Sequence, residues 1–312
     1  MLERHFRLGG FTHEFQRRGY RWDVGLHYVG GMGRGMRERA LMDMVTGGRV
    51  DWSSMPANFD HFHYPGFDFA VPNDPAQYRQ RLGERFPSER DAIATYFRDV
   101  RRAADWYGLE TWSWSAPAGV RASLAAGRLR ARRLALMTTG DYLDTHFRDP
   151  KLRALLALQW GDYGLPPAHS AFGSHALIVH HYRHGAWFPV GGSEALAEAA
   201  REEIEAHGGS CRINHEVTEV VIENGRAVGV RAHVKVGRGG RDEAFRASLV
   251  VSDAGAHTTY ASLLPDGVAD SMRAAVAASE PSMTALTPYL GLTGQTPRSH
   301  GKSSRANEGF VA

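Results

Sequence analysis

The spacing of apolar and polar positions changes character along the chain. Phe15 to Val29 is rich in aromatic and β-branched residues and predicts strands. Glycine is frequent from Gly30 to Gly48, and Val50 to Pro75 is rich in Pro, Asn, Asp and aromatics, so both stretches read as loops with short strands. From Asp74 to Trp106 the residues Tyr78, Leu82, Phe86, Ile93, Phe97 and Val100 recur at helical spacing, interrupted at Pro87, which predicts two amphipathic helices. The same spacing continues over Asp141 to Trp160 and Ser170 to Tyr182. A mostly helical insert over 51–188 summarises this stretch.

The pattern turns over at Phe188-Pro189-Val190-Gly191-Gly192-Ser193. Ser193 is a suitable N-cap for a helix over Glu194 to His207, with Gly208-Gly209 as its stop. Three β-rich runs follow, Ser210 to Val221, Ala227 to Val236 and Phe245 to Ser252, separated by Asn224-Gly225 and Gly237 to Gly240. Asn-Gly between apolar runs is a strong hairpin signal. The expected order is therefore a helix, a β-meander and a final strand ending at Ser252-Asp253-Ala254-Gly255, with no internal repeat.

Composition narrows the classes. A chain of 312 residues, 43% hydrophobic and 23% charged, is that of a globular protein with a substantial core, in one large domain or two. No apolar run approaches the roughly eighteen residues of a spanning helix, and the first ten positions are charged, so neither a membrane span nor a secretory leader is expected. A single cysteine, Cys211, excludes an intrachain disulfide and a cysteine-based zinc cluster and suits a reducing compartment, with cytoplasm the expected location. The net charge of +3 includes a dense patch at Arg128, Arg130, Arg132 and Arg133. It reads either as a solvated helix face or as a surface drawn to anionic lipid, which would make the protein peripheral to a membrane. No aromatic-interleaved basic strand accompanies it, so nucleic acid is not an expected partner.

Three segments carry a resemblance. Phe188-Pro189-Val190-Gly191-Gly192-Ser193, His215-Glu216-Val217-Thr218-Glu219-Val220 and Val251-Ser252-Asp253-Ala254-Gly255 resemble the phytoene desaturase, retinol saturase and carotenoid isomerase family of FAD-dependent oxidoreductases. The opening is similar as well: Leu2-Glu3, Gly9-Gly10, Phe15, Gly19-Tyr20 and Asp23-Val24-Gly25-Leu26-His27-Tyr28 resemble the family's segment just after its first βαβ unit. The resemblance covers residues 1 to about 290. It implies an α/β fold: an incomplete Rossmann-like FAD-binding domain of the two-dinucleotide-binding-domain type, with a β-meander and a largely helical substrate-domain insert. The implied division is 1–50 and 189–275 for the FAD-binding domain, 51–188 for the substrate domain, and 276–312 for a return to the substrate domain and a tail.

The resemblance also implies roles. Glu3 would accept hydrogen bonds from the ribose hydroxyls. Gly9 and Gly10 would let backbone amides approach the pyrophosphate, with Thr12 as a nearby hydroxyl donor. Gly25, Leu26 and His27 would pass close to the flavin ring, His27 being the one weak catalytic candidate. Val217 would meet the adenine with its backbone, and Asp253, Ala254 and Gly255 would form the turn where the chain crosses near FAD. Trp106, Tyr107, Trp112, Trp114, Trp160 and Tyr163 would line a tunnel for a long apolar substrate, and Tyr289-Leu290-Gly291-Leu292 resembles a substrate-domain strand. The implied activity is hydrogen transfer at carbon-carbon bonds of an apolar polyene or isoprenoid, as a desaturase, saturase or isomerase. The alternatives are an amine oxidase-like flavoprotein, or a non-catalytic lipid-binding remnant.

Other motifs lead nowhere. Gly31-Met32-Gly33-Arg34-Gly35 ends in Met36 where a dinucleotide fingerprint needs a sixth-position glycine, and His215 to Glu219 lacks the second histidine of a zincin. Histidines 61, 63, 180, 181 and 184 lack the carboxylate context of a metal site, so no metal is expected. The family's G-x-G-x-x-G turn and first strand are absent, as is its C-terminal flavin-covering segment. In strand order 3-2-1-4-5-6 that strand lies mid-sheet, so the chain is expected to be truncated at both ends, to expose strand edges, and to bind FAD weakly or not at all unless the missing segments come from elsewhere.

Overall fold

Arg18 and Gly19 both take left-handed backbone, φ 53° and 85°, the hand of turn that suits strand twist. Around them β1 (Glu14–Arg17) and β2 (Tyr20–Asp23) pair as a hairpin. The computed structural model describes residues 1–280, 283–284 and 286–291, with backbone alone at 124, 126–128 and 130. After β3 (Val29–Gly30) comes α1 (Arg37–Thr46), a helix where glycine frequency predicted loop. The glycines lie outside it: 37–46 contains neither Gly nor Pro, and Gly47 at φ 59° closes the helix by donating its N–H to the Asp43 carbonyl.

β4 (Trp52–Ser54) is followed by a second hairpin, β5 (Asn58–Tyr64) and β6 (Phe67–Pro72), so the insert is not helical throughout. Phe67, Phe69 and Val71 alternate along β6 and all point into the core. Helix α2 (Pro75–Arg85) begins where the Asp74 carboxylate accepts the N–H groups of Ala76 and Gln77, with Pro75 pre-set for the first turn. A 3-10 turn at Pro87–Glu89 separates it from α3 (Arg90–Ser115), which buries Ile93, Tyr96, Val100 and Ala103 at three- and four-residue spacing. Helix α4 (Ala118–Leu136) follows Pro117.

The helical pattern from Asp141 to Trp160 is three helices: α5 (Thr139–His146), α6 (Pro150–Ala157) and α7 (Trp160–Tyr163). Asp149 and Pro150 start the second one with the same capping chemistry as Asp74 and Pro75. Helix α8 (Phe172–His181) packs against α3 and α4. Tyr96, Tyr142, Phe172, Leu82 and Leu152 are the large side chains at the centre of this layer. Tyr142 and Phe172 stack with centroids 3.9 Å apart, an arrangement worth about 1 kcal/mol beyond burial.

β7 (Ala186–Pro189) pairs with both β3 and β4, so the end of the insert returns to the N-terminal segment. Helix α9 (Glu194–Ala206) is not capped by Ser193. Ser193 already has helical backbone, φ −67° and ψ −28°, so its buried hydroxyl makes no cap. Asp23 of β2 instead accepts the Ser193 N–H at 2.7 Å. The meander forms as β8 (His215–Glu223), β9 (Arg226–Val236) and β10 (Gly239–Arg246), with Asn224 and Gly225 left-handed at the first turn.

The third meander strand begins six residues before Phe245 and ends at Arg246, because pairing with β9 resumes directly after Gly237-Arg238. Among the described residues no ladder partner follows for the rest of the predicted final strand: beyond the bond from Ala247 N–H to the Val228 carbonyl, Leu249 and Val251 stand 75% and 83% exposed. A π-helical turn, Thr258–Leu263, packs on β8 ahead of α10 (Asp270–Ala277). Residues 286–291 form no strand. Tyr289 docks on the first hairpin, its hydroxyl donating to the Val24 carbonyl at 2.7 Å and its ring meeting Phe15 edge-on. Leu292 and the tail from Gln295 lie outside the described residues.

Candidate functional site

The first locus joins the start of the chain to the segment around α9. Leu2 bridges Arg212 in parallel; Glu3 N–H donates to the Arg212 carbonyl and His215 N–H to the Glu3 carbonyl, both at 2.8 Å. Segments more than 200 positions apart thus meet through an isolated parallel β-bridge flanked by two backbone hydrogen bonds. Arg7 pairs with Glu194 of α9 at 2.6 Å. Glu3 is half-buried, and its carboxylate accepts the His5 N–H. Gly9 and Gly10 are consecutive left-handed residues, φ 104° and 53°. A Cβ at Gly9 would fall 2.7 Å from the Thr12 hydroxyl and 2.8 Å from Ala197, whereas one at Gly10 would meet nothing within 4 Å. Gly9 therefore allows the turn to press on α9, and Gly10 offers bare backbone to open space. Thr12 donates its hydroxyl to the Gly9 carbonyl and stabilises that turn.

On β8, Val217 is half-buried opposite Ala232, at a bulge that interrupts the pairing between Val217 and Glu219. A bulge leaves backbone groups outside the ladder. Asp253, Ala254 and Gly255 are exposed, Gly255 left-handed at φ 80° with open space where a Cβ would stand. Their described hydrogen bonds are local, the Ser252 hydroxyl meeting both Thr259 and the Ala254 N–H. A left-handed glycine pair, an open left-handed glycine and an unladdered strand position fit a ligand recognised through backbone amides, as a dinucleotide is.

The second locus is a cavity of about 460 Å3 in the helical layer, between the β5–β6 hairpin and α2, α3, α6 and α8. Its apolar wall includes Phe59, Phe62, Tyr78, Phe97, Leu155 and Tyr182. None of Trp106, Tyr107, Trp112, Trp114, Trp160 and Tyr163 lines it. Trp106 is buried, while Trp112 and Trp114 project from the end of α3, 55% and 73% exposed. Aromatic content by itself could not say which rings face a cavity.

The cavity meets the segment expected beside a flavin. Tyr28 donates its hydroxyl to Asp60 of the cavity wall, and Tyr182 donates to the Tyr28 carbonyl at 3.3 Å. Gly30 N–H donates to the His181 imidazole at 2.7 Å. His27 is half-exposed, 3.6 Å from Asp162, with Leu26 half-buried beside it. Gly25 admits the Phe11 side chain, whose Cβ a Cβ at position 25 would meet at 2.9 Å and whose ring at 3.2 Å. Burial pushes the Tyr28 hydroxyl far up, reinforced by Asp60, and raises both Asp60 and Asp162 above the ordinary carboxyl range. These partners were missed from sequence, since nothing local marks Asp60, Asp162 or Tyr182. Among the described residues no three His, Cys, Asp or Glu side chains converge as metal ligands.

Residues 1–274 match the flavin containing amine oxidoreductase family. The chain belongs to that family. The all-trans-retinol 13,14-reductase of Danio rerio is 31% identical over 278 residues, covering 86% of this chain and 45% of that protein. A neurosporene-forming phytoene desaturase of Cereibacter sphaeroides is 44% identical over 80 residues, 26% of this chain and 14% of that one. The chain therefore spans less than half the length of these relatives. In structure it resembles an oxidoreductase from Methanosarcina mazei, with a TM-score of 0.60 at 18% identity over 90% of this chain and 59% of that one. That likeness shows a mixed α/β fold, and the family match indicates FAD as the cofactor.

Proposed function

We propose that this chain builds the substrate cavity and part of the FAD cradle of an oxidoreductase that moves hydrogen at a carbon-carbon bond of an apolar polyene or isoprenoid. The observation that carries the reading is the Tyr28–Asp60 contact, which ties the Gly25–Tyr28 segment to an aromatic-lined cavity of a size suited to a small-molecule ligand. In this reading residues 1–50 and 189–275 form a Rossmann-like FAD domain, 51–188 the substrate domain, and 276–312 a return to it. Glu3 takes the ribose, Gly9 and Gly10 approach the pyrophosphate with Thr12 holding their turn, and the bulge at Val217 meets the adenine. Gly25, Leu26 and His27 run beside the ring, and Asp253 to Gly255 cross near it. When bound, FAD supplies the redox chemistry. The chain's own residues exclude water with Phe59, Phe62 and Phe97 and place the substrate against the Gly25–Tyr28 segment.

The relatives' names favour a polyene over an amine, and so does the cavity: Arg79, Arg101 and Arg183 line it alongside Asp60 and Asp105, an unwelcoming surround for an ammonium. A membrane is the natural source of such a substrate. Trp112 and Trp114 are exposed at the end of α3, and Leu129, Arg132 and Arg133 are exposed on α4, apolar and basic side chains that suit contact with anionic lipid. The side chains of Arg128 and Arg130 lie outside the described residues. Among those described, no helix is long and apolar enough to cross a membrane.

The test is direct. The purified chain is given FAD and titrated with all-trans-retinol, a carotenoid and a hydrophobic amine, following tyrosine and tryptophan quenching and the flavin bands. Polyene binding with a perturbed flavin spectrum supports the reading. Binding of the amine alone, or of no ligand, refutes it.

A further inference from the structure

The side of the cavity nearest Gly25–Tyr28 carries one partly buried carboxyl, Asp60 of β5. The other lining carboxylate, Asp105 on α3, is exposed and stands 3.9 Å from Arg101. Hydrogenating or dehydrogenating a carbon-carbon bond moves a proton as well as a hydride. An apolar polyene brings no acid of its own, so a side chain at the wall must supply or take that proton. Asp60 has the needed position, because Tyr28 anchors it to the segment proposed to run beside the flavin ring.

Titratable groups face Asp60 from several elements, while β6, paired against it, presents apolar Val71. Tyr28 and His27 approach from the segment before β3, His61 from β5 itself, Tyr78 from α2, Asp162 from α7 and Tyr182 from just beyond α8. Loss of water is the largest influence and favours the neutral acid, outweighing Tyr28, His27 and His61, which favour the anion. Asp60 in turn raises Asp162, whose own burial is the larger cause, so the two carboxyls resist ionising together.

We propose that Asp60 exchanges a proton with the polyene carbon adjacent to the one that exchanges hydride with the flavin. The inference rests on the function proposed above. In the reducing direction the carbon-carbon π bond breaks. The hydride, carrying both electrons from the reduced flavin, forms one C–H bond, and the proton leaving Asp60 Oδ1 forms the other. Asp60 is left as a carboxylate with Tyr28 donating to Oδ2, and it regains its proton from water. Desaturation runs the same transfers backwards, the Asp60 carboxylate accepting the proton and oxidised flavin the hydride.

Two measurements test this. In the first, the chain labelled with carboxyl-13C aspartate is titrated by NMR as wild type, Asp60→Asn and Tyr28→Phe. Two aspartates, Asp60 and Asp162, should titrate above the others; Asp60→Asn should remove one of these signals and lower the other, and Tyr28→Phe, which removes a donor to the anion, should move the Asp60 signal higher still. An Asp60 that titrates with the ordinary carboxylates overturns the proposal without touching the cavity assignment. In the second, the chain loaded with FAD and reduced with dithionite is given all-trans-retinol in D2O. The wild type should place solvent deuterium at both carbons, because in D2O the N5 hydrogen of the reduced flavin exchanges with solvent just as the Asp60 proton does. Asp60→Asn should bind retinol within twofold of wild type yet turn over at least about 100-fold more slowly, with Asp60→Glu recovering part of the rate. Undiminished turnover in Asp60→Asn overturns the role of Asp60. A wild type that titrates as expected but binds no polyene overturns the function itself, and the role with it.

Discussion

Acidification should unfold this protein through one buried imidazole. His175 on α8 is fully buried, with the Tyr96 hydroxyl 2.8 Å from Nε2 and the Tyr163 hydroxyl 3.2 Å from Nδ1. A neutral imidazole has one donor and one acceptor nitrogen, so one tyrosine accepts from it and the other donates. Protonation would make both nitrogens donors and place a charge where burial alone lowers the pKa from 6.5 to about 4. Each tenfold change in proton affinity is worth about 1.4 kcal/mol, so the span withholds about 3 kcal/mol from the protonated folded state. The folded chain binds this proton more weakly than the unfolded chain. The stabilisation is therefore whole above pH 6.5 and is lost as pH falls through 6.5 toward 4. Urea denaturation across that window, on wild type and on His175→Gln, measures the effect. Glutamine keeps one donor and one acceptor for the tyrosines but does not titrate. The wild type should lose about 3 kcal/mol more than the variant between neutrality and about pH 4. Asp60 titrates in both proteins with the opposite sign, its stabilisation being lost as pH rises through its raised pKa, and cancels from the difference. Parallel loss of stability in the two proteins would refute the reasoning.

Further outcomes follow from the packing. Gly30→Ala would set a Cβ 2.0 Å from the His181 carbonyl oxygen, where backbone meets backbone, and should cost about 3 kcal/mol in a urea melt; Gly10→Ala, facing open space, should be distinctly milder despite its φ of 53°. Trp112→Ala combined with Trp114→Ala should leave the melting temperature within a few degrees, because both side chains are exposed, while lowering sedimentation with vesicles containing phosphatidylserine; unchanged sedimentation would remove the membrane surface. Leu249→Ser with Val251→Ser should leave the stability measured in urea within about 0.5 kcal/mol of wild type, since both side chains are already in water.

Much of the architecture was legible locally. Asn224-Gly225 announced its hairpin, Pro87 its helix break, and the helix over 194–206 its position, because turn chemistry and helical periodicity act within a few residues. The family resemblance likewise sat in contiguous segments. The glycines around α1 hid a helix by surrounding it, and the start of β10 depended on register with β9 rather than on its own polar residues.

What the sequence determined by itself was the family and those elements that local turn chemistry and periodicity mark. Only the tertiary structure decided which side chains meet. Asp23 caps α9 in place of the adjacent Ser193 across 170 positions, Tyr28 finds Asp60, and the cavity takes Phe59, Phe62 and Phe97 while turning Trp112 and Trp114 outward. Local signals cannot carry such pairings, because burial and hydrogen bonding are settled by whichever residues the packed layers bring within reach, however far apart they stand in the chain.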